Sequence, residues 1–175
     1  MSKQQRTIDR SMSLAQHPAI LETRTLTWPD EPACAAFAAR LAAAPALWPS
    51  TFVALDGPLG AGKTTFVRHL LRALGVAGRI KSPTFAVMEP YDVQGRSVSH
   101  FDFYRFDDAR EWDDAGFRDV FAAPGLKLAE WPDKAAPALP VPDLRMNIEP
   151  DPARDDARRV TLQALTPHGV ALLAA

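Results

Sequence analysis

The chain has 175 residues, 47% of them apolar, and its formal net charge of −1 argues against a broad, sequence-independent grip on nucleic acid. This length and apolar content predict one globular domain with a full core and leave little room for a second. The single cysteine, Cys34, excludes an internal disulfide and favours a reducing, cytoplasmic compartment. No apolar run approaches the ~18 residues of a membrane span, and the start of the chain lacks a secretion signal.

The first part of the chain predicts an extension, an edge strand and a helix. Residues 1–21 are polar and poorly patterned, so we expect a flexible N-terminal extension, with the single domain over residues 22–175. From Glu22 to Trp28 the residues alternate, as in an edge strand. An alanine-rich helix is expected from Asp30 to Ala44, because Asp30 is a good N-cap and Pro32 is tolerated in the first turn.

The centre of the sequence is a glycine-rich segment with the spacing of a phosphate-binding loop. The pattern G-x-x-x-x-G-K-T, or Walker A motif, is formed by Gly57, Gly62, Lys63 and Thr64. An apolar, β-rich run over 51–56 precedes it, and a run with helical spacing over 65–74 follows. Glycines let backbone N–H groups converge on a phosphate, while the helix N-terminus and Lys63 add positive charge. The hydroxyl of Thr64 is placed to contact Mg²⁺.

An extended run over 79–91 follows the loop helix, and its segment Ser82-Pro83-Thr84 has two interpretations. It is either a switch loop, whose threonine senses the γ-phosphate or its metal, or an ordinary proline turn that leads into a strand. The residues alone leave both open.

Two acidic residues at predicted strand ends are candidate partners for the Mg²⁺ of a phosphate loop. A hairpin turn over 92–95 leads into a strand over 97–106, in which alternation puts His100, Asp102 and Tyr104 on one side. Asp102 is the first candidate, and Glu130, at the end of an apolar run over 126–130, is the second. Either carboxylate can hold the metal directly or through water, and either can equally be a solvated strand-end acid. Taken alone, His100 and Tyr104 are better explained as hydrogen-bonded structural groups than as catalytic ones.

Between and after these strands the pattern is weaker. An acidic helix is predicted over 108–115, and the apolar residues Phe117, Val120 and Phe121 are expected to pack on the sheet. The proline-rich stretch over 132–142 predicts a surface loop.

The C-terminal part predicts antiparallel strands. Residues 144–148 and 160–165 alternate, and residues 170–173 are expected to complete a hairpin around Pro167-His168-Gly169. The cluster of Arg154, Arg158 and Arg159 is either a solvated turn or, in a kinase, a lid over the nucleotide.

Together these motifs resemble the bacterial TsaE (formerly YjeE) ATPases, which support threonylcarbamoyladenosine formation in tRNA. The segments that carry the resemblance are GPLGAGKTTF over 57–66, KSPTF over 81–85, HFDFYR over 100–105 and EWP over 130–132. Their order and separations match from about Thr25 to the C-terminus. The first segment alone indicates only a P-loop protein, whereas the last two distinguish this family from kinases and GTPases. The implied fold is an α/β, P-loop NTPase-like three-layer structure with a largely parallel central sheet and antiparallel C-terminal strands.

The resemblance also implies a role for particular residues. It implies that the phosphates are held by Gly57, Gly60, Ala61, Gly62, Lys63, Thr64 and Thr65. Thr64 and Glu130 would ligate Mg²⁺, with Asp102 close to the metal and the attacking water. Ser82 and Thr84 would form a switch-like loop that faces the γ-phosphate. The remaining nucleotide contacts would come from Trp131, Glu31 and Arg158.

The implied activity is Mg²⁺-dependent ATP hydrolysis that serves a complex with the TsaB and TsaD proteins, where TsaD performs the transfer onto adenosine. tRNA would then be reached indirectly, through that complex. No arginine finger or acceptor pocket is evident, so the isolated chain is expected to be a slow ATPase. Pro58 stands where the family commonly has an acidic residue and Cys34 where it commonly has a threonine, so contacts from these side chains are not carried over.

Two other functions remain as alternatives at this stage. A small-molecule kinase of the P-loop type has a similar length and would form ADP only when an acceptor metabolite is added. A GTPase-type switch module requires a guanine-reading segment such as N-K-x-D, which the sequence lacks.

Overall fold

The computed structural model describes residues 18–106, 112, 115–136 and 138–174. The predicted extension over residues 1–21 falls mostly outside these ranges, and of the predicted acidic helix over 108–115 only Trp112 and Ala115 are described. The division into an extension and one domain therefore stays a prediction. None of the helices within the described ranges has the length and apolar content needed to cross a membrane.

A mixed β-sheet lies at the centre of the molecule. Its strands are β1 (Glu22–Trp28), β2 (Ser50–Asp56), β3 (Met88–Val93), β4 (Arg96–Asp102), β5 (Gly125–Glu130), β6 (Leu144–Asp151) and β7 (Arg154–Ala164). Among the described residues the sheet has seven strands in the order β1-β7-β6-β2-β5-β4-β3. Strands β6, β2, β5 and β4 are parallel, whereas β1, β7 and β3 pair antiparallel with their neighbours. The predicted α/β class, the parallel centre, the antiparallel C-terminal strands and the edge strand β1 are confirmed.

Helices cover both faces of this sheet. The described α-helices are α1 (Glu31–Ala43), α2 (Lys63–Ala73), α3 (Phe117–Ala122) and α4 (Pro167–Leu173), and short 3₁₀ helices span Pro45–Leu47 and Pro132–Ala135. Along β2, Val53 and Leu55 join an apolar cluster with α1, α2 and α4, whereas Phe52 and Ala54 join a second cluster with α3. Since successive side chains of a strand point to opposite faces, the two clusters lie on the two sides of the sheet. The result is the expected three-layer arrangement.

The parallel strands bring three acidic residues to one edge of the sheet. Asp56, Asp102 and Glu130 are the last residues of β2, β4 and β5. In the register of β4 and β5, Asp102 pairs with Glu130, and β2 places Leu55 opposite Glu130. The carboxyl ends of parallel strands meet at the edge where α/β proteins bind ligands. The glycine-rich loop begins at this same edge, directly after Asp56.

The predicted strand over 170–173 is wrong, because these residues belong to helix α4. Thr166 caps this helix by accepting a hydrogen bond from the N–H of Gly169 at 3.1 Å, and Pro167 occupies the first turn. Gly169 also packs tightly: a Cβ there would lie 1.9 Å from the carbonyl oxygen of Asp143. The Thr-Pro start signal for a helix outweighs the apolar residues that suggested a strand.

Two strand boundaries also differ from the prediction. Strand β4 ends at Asp102 rather than near Phe106, because the Asp102 carboxylate accepts a hydrogen bond from the N–H of Tyr104 at 2.9 Å and turns the chain. Strand β7 begins at Arg154 rather than Val160. The arginine cluster is therefore neither a turn nor a lid: it lies in a strand that pairs with β1 on one side and β6 on the other.

Candidate functional site

The candidate site begins at the glycine-rich loop that joins β2 to α2. Gly57 has φ +132°, and a Cβ there would lie 2.1 Å from the carbonyl oxygen of Ile148 on β6, so only glycine fits. Gly62, with φ +109°, leads into α2. The first N–H groups of this 11-residue helix have no acceptor within the helix, and its dipole is positive at this end. Both features favour an anion bound at the loop.

Lys63 is the first residue of α2 and lies folded over the loop. Its Nζ donates hydrogen bonds to the carbonyls of Gly57 at 2.6 Å and Pro58 at 3.0 Å, and it sits 3.9 Å from the centre of the Trp131 ring. Burial lowers the pKa of Lys63. The charges that oppose this shift are those of Glu130, Asp102 and Asp56. An anion bound at the loop would likewise favour the charged form of the amine.

Glu130 at the end of β5 is in direct contact with the loop helix. The hydroxyl of Thr64 lies 2.9 Å from both Oε1 and Oε2 of Glu130, to which it donates. The Nε2 of His100 lies 2.9 Å from Oε1, and the Glu130 residue is only 2% exposed. A hydroxyl and a carboxylate, drawn from positions 66 residues apart, therefore meet at the N-terminus of α2.

Asp102 at the end of β4 connects to the predicted switch-like segment. Its Oδ2 accepts hydrogen bonds from the Ser82 hydroxyl and from the Thr84 hydroxyl, the latter at 3.0 Å. The two hydroxyls are also 3.0 Å apart. Ser82 and Thr84 are thus tied to the carboxylate that neighbours Glu130 in the sheet.

The donor atoms at this edge fit a magnesium ion that is shared with a polyphosphate. The oxygens of Thr64, Glu130 and Asp102 are the hard ligands that Mg²⁺ prefers. Within the described residues no group of three or more histidine, cysteine or acidic side chains is arranged as a metal site. A dedicated all-protein cage is not needed, because Mg²⁺ is usually bound by one or two carboxylates together with substrate phosphates.

A cleft of about 130 Å³ opens on one side of the loop. Its lining includes Trp28, Asp30, Glu31, Cys34, Gly60, Ala61, Gly62, Thr65, Asp156 and Arg158. Arg158 is fixed there, because its Nε donates to the carbonyl of Ala61 at 2.8 Å. Glu31 is held at the mouth of the cleft by His69 on α2, with 2.9 Å between Oε1 and Nε2. The cleft is therefore walled by residues from β1, α1, the loop and β7.

Trp131 lies on the other side of the loop. It lines a second, more open cleft together with Asp56, Gly57, Pro58, Asp133 and Lys134. Its backbone has φ +57°, and its ring lies 5.1 Å from the ring of Tyr104. Of the candidate residues, Glu31 and Arg158 thus adjoin one cleft and Trp131 the other.

An ion pair beside the loop was not predicted from the sequence. Arg145 on β6 donates from Nε to Asp56 Oδ2 at 2.6 Å and from a second nitrogen to Asp56 Oδ1 at 3.1 Å. That second nitrogen also lies 2.7 Å from an oxygen of Asp133. Burial raises the pKa of Asp56, while Arg145 opposes the shift. The position of Asp56 just before the loop was a usable signal, but nothing local points to a partner 89 residues away.

We expect the thiol of Cys34 to be unreactive in the folded protein. Burial, together with the charge of Glu31, raises the pKa of Cys34 to about 12, so the reactive thiolate is about one part in ten thousand at pH 8. An aromatic disulfide reagent should therefore label the native protein at least ~100-fold more slowly than the urea-unfolded chain. Cys34 is the only cysteine, so the signal reports this position alone. Equal rates in the two states would contradict the burial.

Comparisons with known proteins point to one family. The family model described as threonylcarbamoyl adenosine biosynthesis protein TsaE matches residues 28–160. The chain is 41% identical over 123 residues to the tRNA threonylcarbamoyladenosine biosynthesis protein TsaE of Haemophilus influenzae. This alignment covers 70% of this chain and 76% of the relative. It is 35% identical over 117 residues to the protein of the same name from Bacillus subtilis, and that alignment covers 67% of this chain and 72% of the relative.

A solved structure is similar as well. The crystal structure of Bacillus subtilis YdiB aligns with a TM-score of 0.69 at 25% sequence identity, over 87% of this chain and 93% of that one. The family match spans the loop, both strand-end carboxylates and the Ser82 to Thr84 segment. The resemblance that four short segments predicted is thereby confirmed, and the chain belongs to the TsaE family.

Proposed function

We propose that this protein is a Mg²⁺-dependent ATPase that acts with TsaB and TsaD proteins in the threonylcarbamoyladenosine modification of tRNA. The observation that carries the proposal is the contact of Thr64 with both carboxylate oxygens of Glu130 at the end of the glycine-rich loop. It joins the two ligand types that a P-loop protein uses for the magnesium of a bound triphosphate. The modification is named in the descriptions of the family and of both relatives.

The phosphates of ATP would lie on the loop. Backbone N–H groups from Gly60 to Thr65 would donate to them, and the Lys63 amine would exchange its carbonyl partners for phosphate oxygens. Thr64 and Glu130 would hold Mg²⁺, which when bound supplies neutralisation of the phosphate charge. The nucleoside would extend into the cleft between Glu31 and Arg158, with Trp131 bordering the nucleotide on the opposite side.

Hydrolysis would follow from positioning and charge neutralisation. Water attacks the γ-phosphorus while the bond to the β-phosphate oxygen breaks, which yields ADP and inorganic phosphate. Asp102 is the group that we assign to the orientation of this water, supported by Thr84, because their oxygens form one hydrogen-bonded cluster beside Glu130. Ser82 extends the same cluster.

We expect slow turnover by the isolated chain. Among the described residues, two arginines contact the loop or the strand before it: Arg145 is held by Asp56, and Arg158 donates to the carbonyl of Ala61. Arg145 would have to break this ion pair to act as an arginine finger, a contribution worth about 10³–10⁵ in rate in nucleotide hydrolases. A partner that completes the site would explain why the family works within a complex.

Exposed apolar side chains around the site are the proposed docking surface for the TsaB–TsaD complex. Leu59 in the loop is 75% exposed, Phe85 next to Thr84 is 85% exposed, and Tyr104 next to Phe103 is 40% exposed. Large apolar side chains with this exposure mark sites of protein contact when they cluster. A partner seated here would bury them and enclose the γ-phosphate side of the nucleotide.

Phe85→Ser should weaken binding to a TsaB–TsaD complex by at least about tenfold, since a buried aromatic anchor contributes about 2 kcal/mol at an interface. The ATPase rate of the isolated variant should stay within about twofold, because the Phe85 side chain contacts the Arg105 guanidinium rather than the phosphate loop. Biolayer interferometry with immobilised complex measures the first effect, and phosphate release the second. Val141→Ser is the matched control, because Val141 is also an exposed apolar residue, at 51%, but lines a different cleft. Equal weakening by the two variants would contradict the proposed surface.

The proposed function is tested by co-purification with TsaB and TsaD in the presence and absence of ATP. We expect an ATP-dependent complex whose assembly stimulates ATP hydrolysis above the rate of the isolated chain. Fast ATP turnover by the isolated chain that those partners leave unchanged would contradict the proposal. ADP formation only on addition of a metabolite would instead favour a kinase.

A further inference from the structure

His100 on β4 is a fully buried polar residue that faces the candidate metal ligand. Its relative exposure is 0%, and its Nε2 lies 2.9 Å from Oε1 of Glu130. The other ring nitrogen, Nδ1, is buried and has no hydrogen-bond partner among the described residues. A histidine that only filled the core would not need one nitrogen aimed at a buried carboxylate.

The environment of the two nitrogens sets the tautomer of the ring. A proton on Nδ1 would leave a buried donor without an acceptor, whereas a proton on Nε2 leaves Nδ1 only with a lone pair. The second arrangement also gives Glu130 Oε1 a hydrogen-bond donor. His100 therefore donates from Nε2 to Glu130.

Thr64 and His100 share the same carboxylate oxygen. The Thr64 hydroxyl has one hydrogen, and it also lies 2.9 Å from both oxygens of Glu130. A threonine that ligates a cation through an oxygen lone pair keeps this one hydrogen, which is too little to hold both carboxylate oxygens in place. The ring N–H of His100 is a second donor to Oε1, and it comes from a buried side chain that does not contact the cation site itself.

We propose that His100 is a positioning residue that fixes the orientation of the Glu130 carboxylate for magnesium binding. The inference rests on the proposed function, because it assigns Glu130 to the metal. Partners that hold a metal-binding carboxylate typically contribute 10–100-fold to metal affinity. Loss of the donor should therefore weaken magnesium binding more than it weakens binding of the nucleotide alone.

The test compares His100→Gln with His100→Asn. The amide nitrogen of glutamine can take the place of Nε2 and reach Glu130, whereas that of asparagine takes the place of Nδ1 and falls short. Binding of a fluorescent, non-hydrolysable ATP analogue is titrated with and without Mg²⁺. Ser99→Ala is the matched control, because Ser99 is also buried but points to the opposite face of β4. Thermal melts check that each variant is folded.

We expect all variants to bind the metal-free analogue within about threefold of the wild type. The magnesium concentration that gives half-maximal enhancement of analogue binding should rise by about tenfold or more in His100→Asn. In His100→Gln and Ser99→Ala it should stay within about threefold of the wild-type value. Equal magnesium dependence in the asparagine and glutamine variants would overturn the inference alone. Binding by the wild type that magnesium does not enhance would overturn the proposed function and this inference with it.

Discussion

Lys63→Ala will reduce the rate of ATP hydrolysis by about 10³-fold or more, because the substitution removes the one mobile cation that the loop directs at the phosphates. Among the described residues, the lysine amine contacts two backbone carbonyls and the Trp131 ring but forms no ion pair, so it can move to a bound phosphate without breaking one. Phosphate release under saturating ATP measures the rate. The fold should be retained, because the buried amine contacts two backbone carbonyls, and the substitution also removes the cost of burying its charge, which lowers the pKa of Lys63.

Lys127→Met is the matched control for this substitution. Lys127 on β5 is also a buried lysine whose amine contacts backbone carbonyls, those of Ala123 and Gly125, and burial lowers its pKa as well. It lies toward the other end of the strand from Glu130. We expect this variant to retain the wild-type rate within about threefold if it is folded. Normal turnover by a folded Lys63→Ala protein would refute the assignment of the phosphate site.

Gly57→Ala should lower the free energy of unfolding by about 3–5 kcal/mol. The added Cβ would lie 2.1 Å from the backbone carbonyl oxygen of Ile148, which belongs to β6 and cannot move aside as a flexible side chain would. The residue would also have to adopt φ +132°, a conformation that only glycine tolerates. Urea denaturation followed by circular dichroism measures the loss, and nucleotide binding should fall in parallel because the loop has to shift.

Gly60 provides the comparison within the same loop. It has φ +77°, but a Cβ there meets nothing within 4 Å. Gly60→Ala should therefore lower the free energy of unfolding by only about 1–2 kcal/mol, the usual penalty for a residue with a side chain in the left-handed conformation. Equal losses of unfolding free energy in the two glycine variants would contradict the claim that the close approach of β6 to Gly57 excludes a side chain there.

The glycine-rich loop and its neighbouring strand and helix were predictable because every signal is local. The spacing of Gly57, Gly62 and Lys63, the apolar run before them and the helical spacing after them lie within about 25 residues. Local signals also predicted the N-cap of α1 at Asp30, which the structure shows accepting from the N–H of Ala33 at 2.9 Å. A Thr-Pro signal at 166–167 was equally local, and the wrong strand over 170–173 came from interpreting the apolar residues after Pro167-His168-Gly169 as the second strand of a hairpin.

The contacts of the site were not predictable from the residues alone, because they depend on which strands are neighbours. From the residues alone, Asp102 and Glu130 were equal candidates for the metal. That their strands lie side by side and that Thr64 contacts Glu130 are seen only in the structure. His100 was interpreted as a structural residue, and only the structure shows that its Nε2 lies 2.9 Å from Glu130.

The ion pair between Asp56 and Arg145 belongs to the same class of contact. The strand that carries Arg145 was predicted, but its parallel pairing with β2 was not, and the pairing of Ala54 with Arg145 is what brings the guanidinium to the end of β2. Periodicity predicts that a strand exists and which side chains share a face, but it does not specify the neighbour.

The central claim, that a triphosphate and its magnesium bind where Thr64 meets Glu130, is tested most directly by a crystal structure with a non-hydrolysable ATP analogue and Mn²⁺ in place of Mg²⁺. We predict an anomalous difference peak beside the Thr64 hydroxyl and the Glu130 carboxylate, with the β- and γ-phosphates on the backbone from Gly60 to Thr65. A manganese peak away from both side chains, or phosphates bound away from the loop, would contradict the claim.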